Sequence, residues 1–226
     1  MKQRKFTREE KFFHHLLLHS HDVPMAIGLL DGMAGIMLVL AHYSRVKKRP
    51  SVEKSADFLM SQITESMLKT ASPYFGSGLA GIGWSIEYLI QNGYMGGCGV
   101  DLTGEMDERI MSFDIRHISD DSLDSGILGL YHYVVAHVQG AAMQGRRAFD
   151  TLYLDDWQNV LSARREKFPN DPKWGNMLAM LTGAMEGKSP YKLDLVQFIK
   201  PMKSPSLNYL GLQRGLAGYI EMGLKV

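Results

Sequence analysis

Four short segments of this chain carry a glycine, two further residues and a second glycine: Gly32-Met33-Ala34-Gly35, Gly78-Leu79-Ala80-Gly81, Gly126-Ile127-Leu128-Gly129 and Gly215-Leu216-Ala217-Gly218. The first glycines stand at 32, 78, 126 and 215, giving intervals of 46, 48 and 89 residues, the last close to two periods. A period in the mid-forties suits two helices with their loops, as in helical-repeat proteins. Each pair leads into an apolar run with polar interruptions: MLVLAHY, GWSIEYLI, YHYVVAHV and IEMGL. A glycine inside a helix costs about 1 kcal/mol relative to alanine, so eight at matching positions need a physical reason. Lacking a Cβ, they let a helix N-terminus approach a neighbouring backbone closely, or let the chain turn sharply into the helix. Either reading puts the glycine helices inside and the charged helices outside.

The segments between the pairs supply the second helix of each hairpin. Thr7 and Glu10 have the spacing of a capping box, opening a helix with Phe13, Leu16 and Leu17. Ser51 is the expected N-cap of a helix whose apolar face is Val52, Ala56, Leu59, Ile63 and Met67. Leu102, Met106, Ile110 and Phe113 recur with helical spacing, Asp150 to Phe168 is amphipathic, and Lys173 to Glu186 reads as a helix after Pro172. Residues 140–210, the long interval, are expected to hold a divergent hairpin. No stretch alternates with period two, so the expected fold is all-α. It is a single domain over 1–226, an α/α toroid-like array of helical hairpins forming an incomplete ring.

Composition narrows the functional classes. Apolar residues make up 45% and charged residues 22%, a globular profile. Lys plus Arg number 25 against 24 Asp plus Glu, so no net field draws the chain to nucleic acid or an anionic membrane. The basic run Arg45-Val46-Lys47-Lys48-Arg49-Pro50 falls where a helix should end and complements its dipole. Cys98 is the sole cysteine, which excludes an internal disulfide and suits a reducing, cytoplasmic setting. The opening MKQRKFTREEKFFHH lacks a signal peptide's apolar core. The apolar stretch from Ile27 to Ala41, broken by Asp31, is shorter than the roughly 20 residues of a membrane span.

The glycine motifs, above all FGSGLAGIGWSIEYLIQNGY from Phe75 to Tyr94, resemble the lanthionine synthetase C (LanC-like) family. The similarity covers residues 25–140 and returns in the C-terminal GLQRGLAGYIEMGL. It implies an α/α toroid of seven hairpins and an enzyme that cyclises dehydrated peptides by adding a cysteine thiol to a dehydroamino acid. It also implies a zinc ion, held by two cysteines and a histidine, that activates the thiol. The residues before the four motifs are Asp31, Ser77, Ser125 and Arg214, none of them the histidine the family often has there, and no Cys-His dipeptide exists. One cysteine cannot supply a two-cysteine site. No catalytic residue and no metal ligand carries over, and no cofactor is assigned. The expectation is a non-zinc accessory or peptide-binding member acting with ribosomally synthesised peptides. Its partner is a peptide or another protein, and a second copy or a partner would cover the apolar C-terminal helix Gly218–Leu224.

The residues singled out for a pocket or motif are Gly32, Gly35, Gly78, Gly81, Trp84, Gly126, Gly129, His132, Gly215 and Gly218. His15 and His19 share a helix face and, with His14 or His21 and Asp22 nearby, could meet a metal, although a solvated polar face explains them as well. His132 and His137, five apart, point in different directions and read as core or rim residues. Cys98 lies in a glycine-rich loop with no adjacent base. Asp120, Asp121 and Asp124 crowd the entry to the third glycine helix, and Asp31 precedes the first motif. With Trp84, Tyr88, Tyr131 and Tyr133 as a sugar platform, such acids define the alternative, a carbohydrate-active or small-molecule enzyme. A helical-repeat scaffold is the third reading. Should the inner helices aim their N-termini at one face, exposed N–H groups there could bind anions or peptide carbonyls.

Overall fold

The computed structural model describes residues 6–21, 26–67, 69, 72–188 and 191–224. Among these, every regular element is helical: α1 (Arg8–His19), α2 (Met33–Lys47), α3 (Pro50–Met67), α4 (Leu79–Gln91), α5 (Gly99–Met111), α6 (Ile127–Met143), α7 (Thr151–Lys167), α8 (Pro172–Met185) and α9 (Leu216–Leu224). Short 3-10 turns occur at Ile115–His117 and Leu195–Phe198. No described helix is long and apolar enough to cross a membrane. The chain divides into two units, one of Met1–Ala71, Gly76–Gly78 and Asp194–Val226, the other of Ser72–Phe75 and Leu79–Leu193.

In the first unit α2 packs on α3 and α9, and α1 packs on α9. The capping box forms: the Thr7 hydroxyl accepts from Glu10 N–H and the Glu10 carboxylate accepts from Thr7 N–H. Glycine helix α2 buries Ala34 through Leu40, whereas α3 buries only the stripe Val52, Ala56, Leu59 and Ile63. The basic run ends α2 as expected, with Lys48 left-handed at φ 52° and Arg49 N–H returning to the Ser44 carbonyl. Helix α3 begins at Pro50, not after a Ser51 cap, because the fixed φ of proline and its missing N–H suit a first helical position.

In the second unit α4 packs on α5 and α6, α6 also meets α8, and α7 pairs with α8. Residues Leu79–Leu89 of α4 are buried without a break. The hairpin of α7 and α8 occupies the interval that lacks a glycine pair. Asp150 caps α7 by accepting from Tyr153 N–H, and Pro172 opens α8. Helix α5 stops at Met111, so Phe113 falls outside it in the turn that leads to the 3-10 segment, and is exposed.

The glycine pairs owe their spacing to a loop that tucks under the helix it precedes. Met33 N–H donates to Ala26 O (2.8 Å), Leu79 to Ser72 (3.0 Å), Ile127 to Asp120 (2.9 Å) and Leu216 to Tyr209 (2.8 Å), seven residues back in every case. The first glycine is the N-cap where a cap is defined, with extended φ of −123° at Gly32 and −115° at Gly126, so left-handed geometry is not the requirement. Space is. A Cβ on Gly35, Gly129 or Gly218 would lie 2.2, 2.1 and 2.0 Å from the carbonyl oxygens of Leu29, Leu123 and Leu212, six residues back. The side chains of that same loop position, Leu29, Phe75 and Leu212, are fully buried anchors. A neighbouring anchor also presses on the second glycine, Leu212 on Gly35 within the first unit and Phe75 on Gly129 within the second.

Candidate functional site

The two non-glycine residues nominated for a pocket, Trp84 on α4 and His132 on α6, meet in the second unit through Tyr191. Trp84 Nε1 donates to the Tyr191 hydroxyl (3.0 Å), which lies 2.8 Å from His132 Nδ1. Gln139 clamps the Tyr191 backbone, accepting from its N–H (2.8 Å) and donating to its carbonyl (2.9 Å). Burial lowers the His132 pKa to about 4, so its ring is neutral and accepts the tyrosine proton. Trp84 and Tyr131 are buried, and Tyr131 donates to the Met177 carbonyl, so they form core and not a sugar platform.

Eight residues beyond the second glycine of α6, the same unit holds a buried acid–base cluster. His137 sits between two carboxylates, with Nδ1 2.7 Å from Glu87 Oε1 and Nε2 3.0 Å from Asp107 Oδ2. Gln91 donates to Glu87 Oε2, while Tyr133 and Thr103 donate to Asp107, so every carboxylate oxygen accepts a hydrogen bond. Burial alone would drive the imidazole neutral. The hydrogen bonds to Asp107 and Glu87 outweigh it and carry the His137 pKa up to about 9. The cluster therefore holds the protonated His137 ring between the side chains of Glu87 and Asp107. Its backbone walls are tight: a Cβ at Gly99 would lie 1.8 Å from Glu87 Oε1, and one at Gly140 2.1 Å from Oε2. Such a sealed network clamps α4, α5 and α6 together.

An accessible site lies in the first unit. A cleft of about 210 Å³ opens between α1, the end of α2 and α9, lined by Phe13, Tyr43, Met202, Tyr219 and Met222, with Glu9 and Lys47 also at its wall. Phe13 and Tyr43 stack with ring centroids 3.6 Å apart, and Tyr219 meets Phe12 edge-on. Beside this wall His42 Nδ1 lies 2.8 Å from both carboxylate oxygens of the buried Glu221, which pins α9 to α2. Burial pushes the Tyr43 hydroxyl above its usual range, Arg49 opposing and Glu10 and Glu9 adding to it. The volume is below the roughly 300 Å³ of small-molecule pockets, so the cleft suits one side chain with its flanking backbone.

The other nominated residues do not assemble a site. Only His15 and His19 come together, their rings 4.3 Å apart; His14 packs on Phe6, His21 on Phe58, and Asp22 lies outside the described residues. No group of three metal-ligating side chains occurs among the described residues. Asp120 accepts from Ser122 and Ser125 within its own loop, and Asp121 pairs with Arg164 at 2.9 Å. Cys98, half-buried, occupies the N-cap of α5. A zinc set of two cysteines and a histidine does not fit a chain whose sole cysteine stands there. At the glycine helices, the first N–H groups of α2, α4, α6 and α9 donate to carbonyls of their own loops.

In comparisons with known proteins, the chain matches no family model, no curated protein and no solved structure. Sequence reasoning missed the buried cluster. Its signal was an ionisable residue within an apolar helical run: Glu87 in GWSIEYLI, His137 beside His132 in YHYVVAHV, and likewise Glu221 in GYIEM.

Proposed function

We propose that this chain is a LanC-like helical-repeat protein that holds a peptide segment without performing a zinc-dependent cyclisation, an accessory member of a pathway modifying ribosomally synthesised peptides. The observation that carries the reading is the fourfold recurrence of one loop-to-helix unit, with the same backbone pair seven residues apart each time. In this reading the glycine helices form the inner layer of an α/α toroid, and the aromatic cleft with Glu9 and Lys47 takes an apolar side chain of the bound peptide. The missing second cysteine supports the non-cyclising half of the proposal.

A peptide bearing one cysteine and one dehydroalanine tests it. Cyclisation forms a carbon–sulfur bond and moves the thiol proton to the dehydroalanine α-carbon, so the mass is unchanged while the free thiol disappears. The expected outcome is a thiol fully alkylated by N-ethylmaleimide after incubation with the protein and zinc. Protein-dependent loss of that thiol would contradict the reading.

A further inference from the structure

Gly223 is a glycine that the fold itself does not ask for. It lies inside α9, where glycine is less favourable than alanine. Glycines near helix ends commonly serve by taking a left-handed backbone. The described glycines that do so are Gly93, Gly97, Gly145 and Gly187, and Gly223 is not one of them. Close packing does not explain it either. Gly35, Gly129 and Gly218 each admit a loop carbonyl six residues back, whereas a Cβ on Gly223 would meet nothing within 4 Å. Gly223 does line the first unit's cleft of about 210 Å³, beside Tyr219 and Met222 of its own helix and Met202 of the segment before it. Its missing side chain therefore leaves bare backbone at the wall of an accessible cavity.

We propose that this cleft selects an aromatic side chain of the bound peptide, and that Gly223 is the specificity residue that admits it. The inference rests on the reading of the chain as one that holds a peptide, and names the residue class held. The stacked rings of Phe13 and Tyr43 are buried, Tyr219 and Met202 are half-buried, and Met222 is exposed. Thioethers are flexible and make favourable contacts with aromatic rings, so two of them close readily on a flat group. Tyr219 adds an aromatic partner for edge-to-face or offset packing. A flat ring can lie against the bare backbone of Gly223, where a methyl group would hold it off. A branched aliphatic chain has no such face. Charge sets the neighbouring residue: Lys47 of α2, exposed at the wall, attracts an acidic flank, and Glu9 of α1, also exposed there, repels it.

The test uses the whole chain labelled with ¹³C at its methionine methyls, the Met202 and Met222 signals being assigned by their loss in Met202→Leu and Met222→Leu. Two acetylated, amidated pentapeptides are titrated in. One carries phenylalanine at its centre after an aspartate, and the other has leucine in place of that phenylalanine. The expected result is a saturable shift of both signals, with the phenylalanine peptide binding at least fivefold more tightly. Gly223→Ala should bind the phenylalanine peptide at least fivefold more weakly while melting no lower than the unaltered chain, since its methyl group enters space that the fold leaves empty. Equal or tighter binding of the leucine peptide, full affinity in Gly223→Ala, or shifts that miss Met202 and Met222 overturn the proposal and leave the peptide reading standing. A Gly223→Ala variant that melts lower or does not fold shows that the fold needs the glycine, and overturns the proposal as well. Binding of neither peptide contradicts the peptide reading itself, and the proposal with it.

Discussion

His132 and His137 lie five residues apart on α6, and their surroundings push them in opposite directions. Desolvation lowers His132 to about pKa 4, whereas His137, between Asp107 and Glu87, rises to about 9. The unfolded chain titrates both near 6.5. Between pH 4 and 6.5 the unfolded state binds the His132 proton and the native state does not, so stability falls on acidification. Between 6.5 and 9 the native state alone holds the His137 proton, so stability falls as pH rises. Urea unfolding across this range should therefore give a maximum near pH 6.5, and His132→Gln should flatten the acid side. An unchanged acid side in that variant would rule out the assignment. Removing the cation from the cluster is more severe. His137→Asn leaves two carboxylates buried together, and a loss of about 3–5 kcal/mol is expected in the same measurement.

At the scale of the element, glycines in these helices have opposite roles according to what lies beside them. A Cβ at Gly129 would meet the Leu123 carbonyl at 2.1 Å and Phe75 Cβ at 2.4 Å. Backbone must shift to admit it, so Gly129→Ala should destabilise by at least about 1–3 kcal/mol. Gly104, exposed in α5, has nothing within 4 Å of that position, so Gly104→Ala should stabilise by about 1 kcal/mol through helix propensity. Thermal denaturation of the two variants should move in opposite directions; equal shifts would refute the close-packing account. The repeat period and the capping box were legible because each rests on residues near in sequence. The anchor three residues before each motif, buried at Leu29, Phe75 and Leu212 and half-buried at Leu123, was visible but went unread, since it makes sense only once the loop is known to fold under its helix. The Glu87–His137–Asp107 cluster joins positions up to 50 residues apart on three helices. No local pattern specifies such a meeting, and only the oddity of a charge in an apolar run hinted at it.

For the whole molecule, near-zero net charge leaves recognition to local features, and the first unit's cleft joins an aromatic and apolar lining to Glu9 and Lys47. The half-buried His42 holds the buried Glu221 and so ties α9 to α2, two of the helices that bound this cleft. The acid–base cluster of the second unit has the richer chemistry but is sealed, and it acts as a clamp. The central claim, that the chain holds a peptide, is tested most directly by selecting phage-displayed random decapeptides on the protein and on its Lys47→Glu variant, which reverses a cleft charge without touching the core. The account predicts peptides that share an apolar residue flanked by an acidic one and that bind the variant at least tenfold more weakly. Selection that yields no common sequence, or peptides that bind both proteins equally, would contradict it.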